Sequence, residues 1–309
     1  MSRASNEPTH GVSVFHMDFH KNVMIPKLTA QQTYYLRKIK LYAFGIHSAE
    51  TNKGTTYAWS ECTAEKNPET LVSCLDLHLR QTESNNRKWN IFWADNTRSQ
   101  NKNHTVVFYF DYLVASGFRV RIDYKFLEAG HSFGAVDRDG GLAEGLFRNA
   151  EHLETPVDYA ETINNSSLFP KLTWILPPQS AFKSYATWLR KTYRVRRKDI
   201  FNQAYRFSDT MYFNFGIGER VDPTDGIVKS FRHPNCVWLR KTLDDREQPI
   251  EVDFRRRTLE RTRFREEDLS ALSTVSIKPN EKTSQDLEKM LPYLRPAGKA
   301  YYNSILSSD

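Results

Sequence analysis

The segment from Ile91 to Asn103 constrains the fold most strongly. An apolar run of Ile91, Phe92, Trp93 and Ala94 ends in Asp95, and a dense polar loop with Asn96, Gln100, Asn101, Lys102 and Asn103 follows at once. A short strand that is apolar on both faces belongs inside a sheet covered on both sides. A carboxylate at its end is carried to the sheet edge, where the chain turns outward. Two other segments repeat this plan. Upstream, Val14, Phe15 and Met17 lead to Asp18; downstream, the turn Gly130-His131-Ser132 leads to Asp137 and Asp139.

The periodicities around these segments give an order of elements. Residues 1–10 are polar and are expected to be disordered. Gly11 to Ile25 reads as a strand, and Lys38 to His47 and Thr55 to Ser60 as two more, separated at Gly54 as in a hairpin. Pro68 to Gln81 reads as a helix: Pro68 suits its first turn, and Leu71, Leu75 and Leu79 recur every four residues. Trp89 to Ala94 is a buried strand. His104 to Ala115 reads as a helix stopped by Gly117, and Arg119 to Leu127 alternates as a strand. A helical stretch runs from about Asp137 to His152. The order β-β-β-α-β-α-β-α, with a meander followed by crossover units, predicts an α/β fold with an RNase H-like mixed sheet flanked by helices over residues 11–169. A soft boundary falls near 170, after which Pro170, Pro177 and Pro178 break the chain. Ser180 to Tyr193 looks helical, 200–255 looks β-rich, and a last helix runs from Thr283 to Leu291. Residues 170–309 are expected to form a basic C-terminal region packed on the core.

Charge separates the two halves. The chain has 44 Lys and Arg against 37 Asp and Glu, for a formal charge of +7. Lys183 to Arg265 holds 20 basic and 11 acidic residues, so the remainder is nearly neutral, with 24 against 26. The clusters Arg194, Arg196, Arg197, Lys198 and Arg255, Arg256, Arg257, interleaved with aromatics such as Phe201 and Tyr205, suggest a polyanionic partner, DNA foremost. The bland alternative is a solvated basic face. Cys62, Cys74 and Cys236 form no CxxC pair, which argues against a disulfide framework and a thiolate zinc site. No apolar run approaches the ~18–20 residues of a membrane span, so an intracellular, reducing location is expected and no membrane partner. Phosphate-cradling glycine motifs and a GxSxG elbow are absent.

Two-ion phosphodiester chemistry needs hard oxygen ligands that converge from separate elements. Asp18 and Asp95 fit two of them. Asp137 and Glu144 lie seven residues apart on one helix face, and either supplies the third; Asp139 points elsewhere. His131 is placed to bind metal or move a proton. Asn96, Gln100, Asn101, Lys102 and Asn103 are candidates to meet phosphate or to support the ligands. The plainer alternatives are a solvated strand-end acid at Asp18, a helix cap at Asp95 or Asp137, and a hydrogen-bonded turn residue at His131.

Taken together these motifs resemble a eukaryotic family of transposon-derived, RNase H-like proteins described as a domain of unknown function, whose members look like DDE-type transposases or integrases. The residues that carry the resemblance are Asp18 with Pro26-Lys27-Leu28, Tyr34-Tyr35, Gly45-Ile46-His47, Trp93 to Asn96 with Gln100 to Asn103, Lys125-Phe126 with Gly130-His131-Ser132, and Asp137-Arg138-Asp139 with Gly141 and Glu144. The tail Leu291-Pro292 to Pro296, with Tyr301-Tyr302, matches as well. Gly140 and Ala143 depart from the Phe and Ile of the family's helix motif, and Thr97 stands where members often carry Cys. The resemblance implies metal-dependent cleavage or joining of DNA in the nucleus, with two Mg²⁺ or Mn²⁺ ions, by a homodimer or higher multimer. Water or a DNA 3′-hydroxyl would be the nucleophile. The alternatives are a domesticated, catalytically silent nucleic-acid-binding protein and a cellular RNase H-like nuclease.

Overall fold

A computed structural model describes residues 11–82, 89–97, 100–128, 134–216, 219–221, 228–230, 235–244, 246–256, 268–273 and 275–307. His131 and Arg257, both expected at functional positions, lie outside them, as do Arg261, Arg263 and Arg265.

The strands are β1 (Val12–Phe19), β2 (Val23–Ile25), β3 (Ile39–Ser48), β4 (Lys53–Ser60), β5 (Trp89–Ala94), β6 (Arg121–Phe126), β7 (Leu172–Ile175), β8 (Tyr212–Gly216), β9 (Glu219–Val221), β10 (Val228–Ser230), β11 (Val237–Arg240) and β12 (Ile250–Val252). The helices are α1 (Pro68–Thr82), α2 (His104–Ala115), α3 (Ala135–Asn149), α4 (Pro156–Asn164), α5 (Tyr185–Arg190), α6 (Glu281–Met290) and α7 (Pro296–Leu306). One sheet of ten strands runs β12-β11-β8-β6-β5-β1-β3-β4-β7, with β2 paired to β3; β9 and β10 form a separate ribbon. At its centre β1, β3 and β4 are antiparallel neighbours, while β5 and β6 run parallel to β1. With α1 before β5, α2 between β5 and β6, and α3 after β6, this is the expected RNase H-like layout.

Alternation along the strands makes two apolar faces. Phe15, Met17, Phe44, Tyr57 and Phe92 face α1, α2 and α5, whereas Leu41, Ala43 and Ala58 face the other way, onto Ala143, Phe147, Tyr159 and Tyr302. Leu71, Leu75 and Leu79 of α1 are all buried, as their spacing requires. Rings of Phe15, Phe92 and Phe110 stack through the first core at 5.2 and 4.8 Å.

The chain beyond residue 170 joins the same sheet at both edges. β7 pairs parallel with β4, and β8 pairs antiparallel with β6 and carries β11 and β12. Gly216 closes the β6–β8 pairing at φ +98°; a Cβ there would lie 2.1 Å from the Val120 carbonyl oxygen. Arg295 binds Glu154 and Asp158, and Arg37 binds Asp286, which ties the last two helices to the first half.

Several local expectations differ from the fold. The strand read over Gly11 to Ile25 is two strands that pair in turn with the same edge of β3, the one opposite β4, because the ladder breaks between Phe19 and Val23. The helix read over Ser180 to Tyr193 is confined to α5, after a 3-10 turn at Gln179–Ala181. Helices α4 and α7 were not read at all. Each starts with proline in its first turn, where the missing N–H costs nothing. For α4, Thr155 and Asp158 also form a reciprocal cap. No helix among the described residues is long and apolar enough to cross a membrane.

Candidate functional site

The parallel register of β1 and β5 ends at Met17 opposite Ala94. Asp18 and Asp95 are therefore the next rung, on adjacent strands about 4.8 Å apart and on the same face. Their local geometry is the same. Asp18 Oδ1 accepts from the Phe19 amide at 2.8 Å, and Asp95 Oδ1 accepts from the Asn96 amide at 2.7 Å. Asp18 is half-buried. Burial raises its carboxyl pKa, hydrogen bonds from Asn101 and Phe19 oppose this, and the charges of Asp95 and Asp137 add to the rise. Carboxylates that disfavour one another's ionisation share one electrostatic neighbourhood.

The polar loop after Asp95 turns inward. Asn101 is fully buried and donates from Nδ2 to Asp18 Oδ1 at 3.0 Å, while its backbone carbonyl accepts from Tyr124 Oη at 2.8 Å. Asn101 Oδ1 is buried with no hydrogen-bond partner among the described residues. Lys102 is 2% exposed; its Nζ donates to the Ser208 carbonyl at 2.9 Å and sits over the Phe126 ring. Asn103 caps α2 by accepting from the Val106 amide, and Asn96 Nδ2 contacts Met211 Sδ at 3.3 Å. The expectation that this cluster meets phosphate is corrected for Asn101 and Lys102, which burial puts beyond a polyanion's reach. Asn101 instead orients Asp18, and Lys102 pins the loop to residues 205–211. Gln100 remains partly exposed.

Helix α3 brings the third carboxylate. Asp137 is exposed in its first turn, and Oδ2 accepts from the Gly134 amide at 2.7 Å. One oxygen of Asp137 thus caps the helix, while its charge still reaches Asp18. Glu144 is exposed two turns further on. Among the described residues, no group of three or more His, Cys, Asp or Glu side chains stands close enough to hold a metal ion. The structure therefore brings Asp18 and Asp95 together and leaves Asp137 and Glu144 at the rim. The two carboxylates that come together are hard oxygen donors of the kind Mg²⁺ and Mn²⁺ take.

Sequence reasoning missed what fixes α3. Asp139 is buried and pairs with His47 Nδ1 of β3 at 2.7 Å. His20 Nε2 lies 3.1 Å from Thr56 Oγ1, and a Cβ on Gly45 or Gly140 would collide with its ring at 2.7 and 2.6 Å. Gly54 likewise leaves room for Asp139, since a Cβ there would come within 2.2 Å of Oδ2. The signal was present as three glycines and two histidines on facing elements, but it is legible only once the elements are paired. His16, on the same face, has its pKa lowered to about 4 by burial, with its neighbours His47 and Arg138 adding to the effect.

The basic residues divide by exposure. Arg194, Arg197 and Lys198 are exposed, and with Arg196 they line a concavity of about 520 Å³. Arg196 is half-buried, donating to the carbonyls of Asp253 and Arg255. Arg255 grips Asp111 of α2 with two nitrogens, at 3.1 and 3.4 Å, and also binds Asn235. Arg256 is exposed, with Nε on the Arg190 carbonyl at 3.1 Å.

Comparison with curated proteins returns no match, and no solved structure matches the chain. A family model does match, over residues 31–210, a span that holds Asp95, Asn101 and α3 but starts after β1 and Asp18. Because that span covers more than half of the chain, the protein belongs to the family described as a domain of unknown function, DUF7869.

Proposed function

We propose that the protein is a metal-dependent nuclease of the transposase or integrase kind, acting on DNA phosphodiesters. The observation that carries this reading is the pair Asp18 and Asp95, side by side at the carboxyl ends of adjacent parallel strands in an RNase H-like sheet. Asp18 and Asp95 would hold a Mg²⁺ or Mn²⁺ ion, with Asn101 orienting Asp18 and Asp137 or Glu144 reaching in from α3 as further ligands. Such ions, when bound, supply Lewis-acid activation of the phosphodiester and of its nucleophile. The chain's own part is positional. The His47–Asp139 pair and the seated His20 fix α3 against β1, β3 and β4, and Lys102 holds the loop that carries Asn101. Exposed Arg194, Arg197 and Lys198 supply the charge for a DNA backbone. A nuclear location and a dimer or higher multimer follow from the same reading. Isothermal titration of Mn²⁺ into the full chain tests it, followed by plasmid cleavage. Wild type should bind and cleave, and Asp95→Asn should do neither. Equal Mn²⁺ binding by both proteins would refute the reading.

A second reading, a catalytically silent nucleic-acid-binding protein, is favoured by the absence of a three-ligand group among the described residues. DNA binding without cleavage in Mg²⁺ or Mn²⁺ would favour it.

A further inference from the structure

One rung of the sheet carries a cation that neither the core nor the carboxylate pair explains. His16 of β1, Trp93 of β5, Lys125 of β6 and Tyr212 of β8 are successive cross-strand partners, so their side chains share one face. Asp18 and Asp95 lie two residues further along β1 and β5, on that same face. The Leu127 amide donates to the Ala94 carbonyl at 3.0 Å, so β5 and β6 stay paired up to the site. Lys125 is therefore one strand across and one pleat back from Asp95, about 8 Å from backbone to backbone. Its flexible four-carbon stem can cross most of that gap.

Lys125 is partly exposed, and its Nζ lies over the rings of Trp93 and Tyr212 at 5.6 and 4.7 Å. Rings attract an ammonium without cancelling its charge. Its neighbours on this face are committed elsewhere: Arg121 binds Asp123 at 3.0 Å, and Arg240 donates to the Glu247 carbonyl at 3.0 Å. Lys125 itself forms no ion pair among the described residues. A second lysine stands on the other side of the carboxylates. Lys66, between β4 and α1, is partly exposed and reaches the end of β1, with Nζ over the Phe19 ring at 4.2 Å and 3.4 Å from Asn22 Oδ1. Burial lowers its pKa and the charge of Asp18 opposes the fall, which sets the ammonium within electrostatic reach of that carboxylate. Lys66 also forms no ion pair among the described residues. Across the sheet edge the order is thus Lys125, Asp95, Asp18, Lys66. A DNA strand crossing this edge with one phosphate over the two acids brings the next phosphate on each side to a lysine, a compact point charge suited to it.

We infer that Lys125 and Lys66 are substrate-binding residues, holding the phosphates on either side of the one that lies over Asp18 and Asp95. This rests on the nuclease reading above and deepens it by giving the DNA strand a path, across the strand ends from β6 to β1.

The test is fluorescence anisotropy of the full chain in EDTA, with a short labelled DNA duplex and a series of salt concentrations. Every protein in the series carries Asp95→Asn, which removes one acid from the site. Adding Lys125→Met or Lys66→Met keeps the side-chain stem and removes the charge. Each should lower the slope of log affinity against log salt by about 0.9, and weaken binding about 8-fold at ~0.1 M salt. Lys125→Arg and Lys66→Arg keep the charge and should retain both slope and affinity. Equal thermal midpoints check that the Met variants fold. Without Asp95→Asn, each Met variant should bind Mn²⁺ more tightly than wild type, because a monocation has left the surroundings of a dication. Unchanged DNA affinity and salt slope in either Met variant would overturn the inference, even with tighter Mn²⁺, since that lysine would then only balance the acids. Wild type separates the two readings. If it neither binds Mn²⁺ nor cleaves while both Met variants lose DNA affinity, the carboxylate chemistry fails and the lysines stand. If it binds Mn²⁺ and cleaves while the Met variants hold DNA as before, the nuclease stands and the lysines fail.

Discussion

Replacing Arg255 with alanine separates a structural cation from a DNA-binding one. Sequence alone puts Arg255 in a basic run, yet its guanidinium lies against Asp111, whose side chain is 5% exposed. Removing it strands a buried carboxylate on α2, a change that costs about 3–5 kcal/mol. Unfolding entropy scales with chain length at roughly 2.1 cal/mol/K per residue. For 309 residues this makes the loss about 5–8 °C in Tm. Differential scanning calorimetry reads that shift directly. The double variant Arg255→Met with Asp111→Leu should recover most of it, because replacing both partners of a buried pair with apolar groups is close to neutral. DNA affinity of the folded Arg255→Ala protein should fall far less than that of Arg197→Ala. An unchanged Tm with a many-fold loss of DNA affinity would refute the bridge as the residue's role.

Other consequences follow from particular contacts. Buried His78, 4% exposed, is held down to about 4 by desolvation and is neutral in the fold. The unfolded chain, with its ordinary histidine value of 6.5, binds the proton first as pH falls. Stability is therefore full above pH 6.5 and is lost progressively toward pH 4, by on the order of 3 kcal/mol. Urea midpoints across that window should fall less steeply for His78→Gln. Gly216→Ala forces an L-residue into φ +98° against the Val120 carbonyl and should cost at least ~2 kcal/mol in chemical denaturation; a neutral result would contradict the β6–β8 closure. Asn101→Ala removes the donor that orients Asp18 and should weaken Mn²⁺ binding about 10- to 100-fold in calorimetric titration. Unchanged affinity would show that the amide supports the loop alone.

The sequence was most legible where a long apolar run is bounded by local stops. β5 and α2 fall at the residues their patterns mark, since Asn103 caps one end of α2 and Gly117, at φ +77°, closes the other. Strand order followed from connection type, and it carried Asp18 and Asp95 to one edge. What stayed hidden depends on partners far along the chain. Asp111 meets Arg255 across 144 residues and Asp139 meets His47 across 92, so neither pairing leaves a local pattern. Asn101 and Lys102 read in sequence as exposed loop residues because their neighbours are polar. Tyr124 and the Ser208 carbonyl, on elements that arrive later, are what draw them inside. Asp123 likewise interrupts an alternating strand in sequence, yet in the fold it collects Trp89, Arg121, Tyr212 and Asn214 around one buried carboxylate.

The most direct measurement is anomalous diffraction from crystals of the full chain soaked in Mn²⁺. A difference peak between the carboxylates of Asp18 and Asp95, lost in Asp95→Asn crystals, is the expected result. Well-ordered carboxylates with no peak between them, or manganese bound only elsewhere, would contradict a shared cation site and with it the proposed chemistry.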